Sequence, residues 1–370
     1  MNKHHCPVIH GALILNLKKE NLILQNCCLR KDPVVHLSGK IWDNPGLQPL
    51  RKFNIENDKF ESGCWNCESV EQAGNESYRT GTLSKYGYKI NYVGPTRLDI
   101  MFDISCNLAC RICSPDLSTY WQKHLKKTNR TLPVIEFTEP KTEEMINHIK
   151  SLDLSELREV VFCGGETMLG QSHWRVAEIL ADIVPNAKEN LILQFQTNGT
   201  IPLTERNYKT IEKFHLVKFL VSADGVGDQF EYLRWPAKWD HFTQNIAAMV
   251  KEAPANVMFN LEETLSIFNL YYSNRIDAWA KEHFAVNRLG DPVGHCKHIA
   301  MGIYALDNLT TEYIDAIKNT DLYSFIKPSY QENPEAIKKM VTDIQLEDQL
   351  RGEDWTKTFP EVAEFYHRYI

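Results

Sequence analysis

The chain is predicted to fold as an α/β protein built on a partial (β/α)6 barrel, and three observations predict it. Apolar, strand-like runs alternate with helical stretches between residues 91 and 305. The runs lie at 97–104, 158–163, 191–196, 216–222, 256–267 and 285–289, six units in all. Polar turn motifs close several of them, where parallel sheets carry their chemistry. Hydrophobic residues make up 43% of the chain, enough for a full core.

Residues 1–90 are rich in cysteine and turn residues and show little helical periodicity, which predicts a small cysteine-rich N-terminal domain. Within it Ala12 to Leu15 reads as a short strand. The barrel is expected over 91–305. Its first strand alternates Arg97, Asp99 and Asp103 with Leu98, Ile100 and Phe102, so the charged set shares one face. That face is either a substrate-site candidate or an ion-pair network. Helical patterns follow at 143–152, 174–183, 207–214, 242–251 and 270–284. Residues 306–370 read as a helical C-terminal extension with a long amphipathic stretch at 335–351. Trp355, Phe359, Phe365 and Tyr366 are available to dock it.

The net charge of -7 and pI of about 6.0 leave no electrostatic footprint for nucleic acid. The basic run Lys123 to Lys127 reads as a solvated helix face. No segment approaches the roughly 20 apolar residues that cross a bilayer. The N-terminus lacks the apolar core of a signal peptide, so a cytoplasmic protein without membrane partners is expected. Ten cysteines in a reducing compartment point to metal binding; a secreted, disulfide-bonded chain is the alternative.

Cys106, Cys110 and Cys113 stand at C-x3-C-x2-C spacing just after the first barrel run. Three thiolates on one loop can bind three irons of a [4Fe-4S] cluster and leave the fourth iron open to a ligand. A zinc site is the alternative, with Cys163 as a fourth ligand. Gly164-Gly165-Glu166 follows the run Val160 to Phe162, Thr197-Asn198-Gly199 ends the run from Leu191, and Ser222-Ala223-Asp224-Gly225 ends the run from Leu216. Together with the triad, in this order, these motifs resemble the radical S-adenosylmethionine (SAM) superfamily, whose fold is a partial TIM-like barrel.

The resemblance implies a residue set for SAM. Gly164 and Gly165, lacking side chains, would let backbone approach its amino group, with Glu166 assisting. Asn198 would meet the methionine part or the ribose, and Ser222 and Asp224 the ribose hydroxyls. Arg234 would form a bidentate contact with the SAM carboxylate, or else a salt bridge. Ile112 occupies the place where the family often has an aromatic residue against adenine. Ordinary turn and helix-capping roles are open for the same residues. No residue is assigned as a catalytic acid or base. The implied chemistry needs an external electron donor such as flavodoxin or ferredoxin. Reductive SAM cleavage then yields a 5′-deoxyadenosyl radical that abstracts a substrate hydrogen.

Cys6, Cys27, Cys28, Cys64 and Cys67 form a second group, with Cys64-Trp65-Asn66-Cys67 as a compact knuckle. With Trp42 and Arg51 they resemble a twitch or SPASM-like auxiliary-cluster domain, placed before the barrel instead of after it. The resemblance implies a second, auxiliary [4Fe-4S] cluster on Cys6, Cys64, Cys67 and one of Cys27 and Cys28, with Cys27 preferred. A four-cysteine zinc knuckle is the alternative. Cys163 and Cys296 are left over and expected as buried free thiols, His295 and His298 flanking the latter. A peptide or protein substrate is the leading expectation. A nucleotide-derived or other small molecule is the alternative within the family. A non-catalytic iron-sulfur or zinc protein is the alternative outside it, and a zinc-dependent RNA-binding protein lacks basic support.

Overall fold

The computed structural model describes residues 3–18, 21–30, 35–36, 40–72, 74–128, 139–284, 295–300, 302–326 and 330–370. It is a mixed α/β protein. Its strands are β1 (Ala12–Lys18), β2 (Asn21–Gln25), β3 (Val35–His36), β4 (Arg97–Met101), β5 (Glu159–Phe162), β6 (Ile192–Thr197), β7 (Leu216–Ser222), β8 (Val257–Leu265) and β9 (His295–Ile299). The strand expected at 285–289 lies outside the described residues. The chain divides into two compact units. One holds 1–104, 134–195 and 204–218; the other holds 105–133, 196–203 and 219–370. β6 and β7 each begin in the first and end in the second.

In the first unit the strands lie in the order β3-β2-β1-β4-β5-β6. β4, β5 and β6 are parallel, with Asp99 opposite Val161 and Val161 opposite Gln194. β1 continues the parallel run by pairing with β4, Ala12 opposite Arg97, while β2 and β3 add antiparallel strands beyond it. β5 is buried along its whole length: Val160, Val161 and Phe162 are an apolar run, and the buried Glu159 that precedes them is paired with Arg97. β6 alternates, and its buried Phe195 stacks on Trp174 of the helix Gln171–Ile183 at a 4.7 Å centroid distance.

Helices are present in the N-terminal 90 residues, where little periodicity was expected. They span Pro7–Gly11, Gln48–Glu56, Trp65–Gln72 and Tyr78–Tyr86. Each is too short for a repeating apolar stripe to declare itself, and local signals specify them instead. Pro7 stands at the start of the first, and a Ser77–Thr80 capping box opens the last.

In the second unit β8 lies between β7 and β9 and pairs in parallel with β9, Glu262 opposite Cys296. The core beyond β8 gathers Leu265, Ile267 and Phe268 with Trp355, Phe359 and Tyr366, and Phe365 packs partly buried against it. The helix Pro334–Arg351 adds Ile337, Met340, Val341 and Ile344 to the same core. Among the described residues no helix is long and apolar enough to cross a membrane.

Candidate functional site

The C-x3-C-x2-C loop belongs to the second unit, and neighbouring chain holds its backbone throughout. Ala109 N–H donates to Trp235 O at 2.8 Å and Arg111 N–H to Leu233 O at 2.7 Å. Trp121 Nε1 donates to Cys110 O at 2.8 Å, and Ser118, which caps the helix Thr119–Lys127, donates to Leu108 O at 2.5 Å. Thr119 Oγ1 accepts the Cys106 N–H at 3.1 Å and donates to Cys106 O at 3.2 Å. A loop tied at this many points presents its side chains in a fixed arrangement.

Cys110 is buried, and Cys106 and Cys113 are partly exposed. Burial pushes the Cys113 thiol up to about 11; a hydrogen bond to the Ser114 backbone opposes this, and Cys106 contributes to the rise. Burial raises the Cys110 thiol too; Arg234 opposes this, while Cys113 and Cys106 add to it. The three sulfurs therefore feel one another, and each is easier to deprotonate with a cation at hand. Polar hydrogens are aimed at them. Leu108 N–H lies 3.4 Å from Cys106 Sγ, Asn198 Nδ2 lies 4.0 Å from the same sulfur, and Arg234 Nη1 lies 4.0 Å from Cys110 Sγ. Donors on thiolate sulfurs are the usual outer shell of an iron-sulfur site.

Asn198 is held by a ring of hydrogen bonds. Its Nδ2 donates to Asn107 Oδ1 at 2.9 Å, and its Oδ1 accepts from Thr200 N at 3.0 Å and Thr200 Oγ1 at 2.7 Å. Asn107 Nδ2 closes the ring on Thr200 Oγ1 at 2.8 Å. Gly199 follows at φ +72°, with a Cβ position only 2.6 Å from Phe242, so the turn admits glycine alone.

Arg234 and Asp224 are buried and paired, Nη2 to Oδ2 at 2.7 Å. The Thr264 N–H donates to the other carboxylate oxygen of Asp224 at 2.7 Å. Burial raises the Asp224 carboxyl, and Arg234 opposes it. Both residues expected to meet SAM are thus engaged with each other. Ser222 ends β7 and Ile112 lies on the cysteine loop, each half-buried.

Gly164-Gly165-Glu166 belongs to the first unit and follows β5. Gly164 has φ +132°, and a Cβ there would stand 2.5 Å from Asp103 O. Gly165 N–H donates to the same oxygen at 3.3 Å. Glu166 is buried, and its Oε1 accepts the Met168 N–H at 2.9 Å, so its carboxylate shapes its own turn. On β4, Arg97 Nε reaches Asp99 at 2.7 Å and its Nη1 reaches Glu159 at 3.0 Å. Arg97 and Asp99 thus form an ion-pair network with Glu159, while Asp103, the third charged residue expected on that face, lies beyond the end of β4.

The N-terminal cysteines also converge within the first unit. Cys6, Cys27, Cys64 and Cys67 line one cavity, and Cys28 does not. Cys6 is the N-cap of the helix Pro7–Gly11, Cys27 follows β2, Cys64 ends the turn Ser62–Cys64, and Cys67 lies on the next helix. Burial pushes the Cys6 thiol up to about 12, with Cys64 and Cys67 adding to it. Cys28 is exposed. Trp42 and Arg51 brace the segment: the guanidinium lies 4.2 Å from the indole centroid and its Nη1 donates to Trp42 O at 3.0 Å.

The remaining thiols differ from expectation in one respect. Cys163 is partly buried, and its surroundings push the thiol up to about 12. Cys296 is exposed, since β9 presents a weakly buried strand. Beside it His295 pairs with Asp277 and, at 3.2 Å, with Glu263, while Lys297 lies 3.0 Å from Asp277. This charge cluster clips β9 to β8 and to the helix Ser273–His283. Among the described residues no three His, Cys, Asp or Glu side chains close on a single metal-ion position. Ligands of one tetrahedral zinc stand about 3.8 Å apart, as Zn–S bonds of about 2.3 Å require. Ligands of a cluster each reach a different iron and are spaced more widely.

Sequence reasoning missed Asn107, Arg111 and Arg30. Asn107 and Arg111 lie inside the cysteine motif, where the spacing of the ligands draws attention from the residues between them.

No family model matches the chain. No curated protein sequence matches it either. Similar solved structures exist at low identity. Native anSMEcpe with bound AdoMet aligns at 17% identity over 70% of this chain and 62% of that one, with a TM-score of 0.39. SuiB of Streptococcus suis bound to S-adenosylmethionine aligns at 12% identity over 92% of this chain and 69% of that one, TM-score 0.37. SuiB bound to precursor peptide SuiA aligns at 12% identity over 95% and 74%, TM-score 0.38. The chain thus spans less than two thirds of anSMEcpe.

Proposed function

We propose that the chain is a radical SAM enzyme with a partial (β/α)6 barrel at 91–305, an auxiliary-cluster domain at 1–90 and a helical extension at 306–370. The observation that carries this reading is the Cys106, Cys110 and Cys113 loop, with Asn198 and Arg234 each directing a side-chain nitrogen to a different cysteine sulfur at 4.0 Å. Cys106, Cys110 and Cys113 would hold a [4Fe-4S] cluster, which, given an external electron donor such as flavodoxin or ferredoxin, would supply reductive cleavage of SAM to a 5′-deoxyadenosyl radical.

The chain's own residues have separable tasks. Arg234, neutralised by Asp224, places a buried cation beside Cys110 and favours its thiolate. Asn198 and Asn107 fix the approach to Cys106. Gly164 and Gly165 leave backbone bare where a ligand amino group would bond. Cys6, Cys27, Cys64 and Cys67 would hold the auxiliary cluster, and their common cavity supports Cys27 over Cys28. A peptide or protein substrate is the reading we adopt, on the resemblance of the N-terminal segment to twitch and SPASM-like domains.

The test is iron and sulfide content after anaerobic purification, together with 5′-deoxyadenosine release under a low-potential reductant. About eight irons are expected in the wild type and about four in the Cys106/Cys110/Cys113→Ala variant, which should release no 5′-deoxyadenosine. Bound zinc without iron, or cleavage that survives the triple substitution, would overturn the reading.

A further inference from the structure

Arg30 lies three residues beyond Cys27 and lines the four-cysteine cavity. Its side chain is only 6% exposed. Nη1 donates to Cys64 Sγ at 3.2 Å, and Nη2 pairs with Glu61 at 2.6 Å. Glu61 is itself fixed: one carboxylate oxygen accepts the Gly63 N–H at 2.8 Å and the other accepts the Ser62 hydroxyl at 2.9 Å, capping the turn that ends in Cys64. The guanidinium is therefore held in place from two sides. Its charge is permanent at any working pH. A neutral thiol is a weak acceptor, whereas an anionic sulfur makes such a contact strong.

We infer that Arg30 is a positioning residue for an iron-sulfur cluster on Cys6, Cys27, Cys64 and Cys67, and that its guanidinium, set by Glu61, raises the reduction potential of that cluster. The inference rests on the auxiliary-cluster reading above. Reduction adds one negative charge to the cluster. A fixed cation bonded to a ligand sulfur stabilises the reduced form more than the oxidised one, so the potential rises. Glu61 opposes this from the far side of the guanidinium. Removing the cation must lower the potential, and removing the carboxylate must raise it.

The experiment uses the full chain carrying the Cys106/Cys110/Cys113→Ala substitutions, so that only the N-terminal cluster remains. Iron content and a redox titration followed by electron paramagnetic resonance are measured for this parent and for the same chain with Arg30→Gln, Arg30→Lys or Glu61→Gln. Arg30→Gln is expected to shift the reduction equilibrium at least tenfold towards the oxidised form, about 59 mV for one electron. Glu61→Gln is expected to shift it the other way, and Arg30→Lys to fall between parent and Arg30→Gln. A purely structural role would cost iron without producing shifts of opposite sign. If Arg30→Gln loses its iron while Arg30→Lys and Glu61→Gln keep theirs at the parent potential, the inference falls. Unshifted or same-direction potentials with iron retained overturn it equally. A parent without iron, or with zinc in its place, means that the auxiliary-cluster reading has failed, and the inference fails with it.

Discussion

Arg111, one residue past the second cysteine of the triad, points its Nη2 at Asp348 Oδ1, 2.5 Å away and 237 positions along the chain. The same nitrogen lies 2.6 Å from Glu353, and the guanidinium sits 3.9 Å from the centroid of the Tyr232 ring. Asp348 also accepts the Tyr232 hydroxyl at 2.9 Å and the Trp355 N–H at 2.7 Å. The helix Pro334–Arg351 and the turn after it thereby clamp the cysteine loop through a fully buried cation. Removing one partner of a buried pair costs about 3–5 kcal/mol, and Glu353 remains to soften the loss. Asp348→Ala is therefore expected to cost about 3 kcal/mol in urea denaturation and to lower iron loading at the triad. A cost below about 1 kcal/mol, with full iron, would remove the clamp from the argument.

Cys27 and Cys28 are adjacent, yet only Cys27 lines the cavity with Cys6, Cys64 and Cys67. Cys28 is exposed, and its thiol is held below the usual thiol range first by a hydrogen bond with the Cys27 side chain, with burial opposing and Asp99 and Arg97 on β4 acting more weakly. Cys27→Ser is expected to remove about four irons, and Cys28→Ser none. Iron analysis of the two variants decides the point, and the reverse pattern would exchange their roles.

The strands β4 to β8 were legible because each is a contiguous apolar or alternating run, a local property of the chain. Cysteines and glycines at the strand ends were legible because few other residues do what they do. The partners of those residues were not. Arg111 meets Asp348, and His124 meets Glu347 at 2.6 Å across 223 positions, and nothing local in either segment records the pairing. β1 was visible as four apolar residues, but its parallel pairing with β4 is a long-range choice. Arg234 reads in the sequence as either a contact to the SAM carboxylate or a surface salt bridge; it is a salt bridge, but a buried one, and nothing local names Asp224 as its partner.

His10 is buried, with Nε2 3.1 Å from Asn54 Oδ1. Burial holds its pKa down at about 4; the Asn54 hydrogen bond opposes this, and His5 and Arg51 add to it. Unfolded, the same ring takes a proton near pH 6.5. Between about pH 6.5 and about pH 4 the unfolded chain thus binds more protons than the folded one, so stability falls as pH falls and levels off below. The contribution is fully present above pH 6.5. His10→Gln keeps a donor for Asn54 and removes the titration. Its urea midpoint should fall less steeply than that of the wild type over this window. Parallel slopes for the two proteins would show that His10 is not held neutral.

Gly164 offers the sharpest test of the turn after β5. Its φ of +132° is strained for any other residue, and an added Cβ would lie 2.5 Å from Asp103 O and 3.1 Å from Met101 Cγ. The nearer atom is backbone of the chain continuing from β4, which also accepts the Gly165 N–H, so it cannot step aside without moving the turn. Gly87, at φ +72° with nothing within 4 Å of its Cβ position, isolates the conformational part of the penalty. Gly87→Ala should cost about 1–3 kcal/mol, the strain of its φ +72°, ψ -172° backbone alone. Gly164→Ala should cost clearly more and should also abolish SAM binding, measured by equilibrium dialysis on the iron-loaded protein. If Gly164→Ala costs no more than Gly87→Ala and binds SAM as the wild type does, the backbone at 164 is not where the ligand approaches.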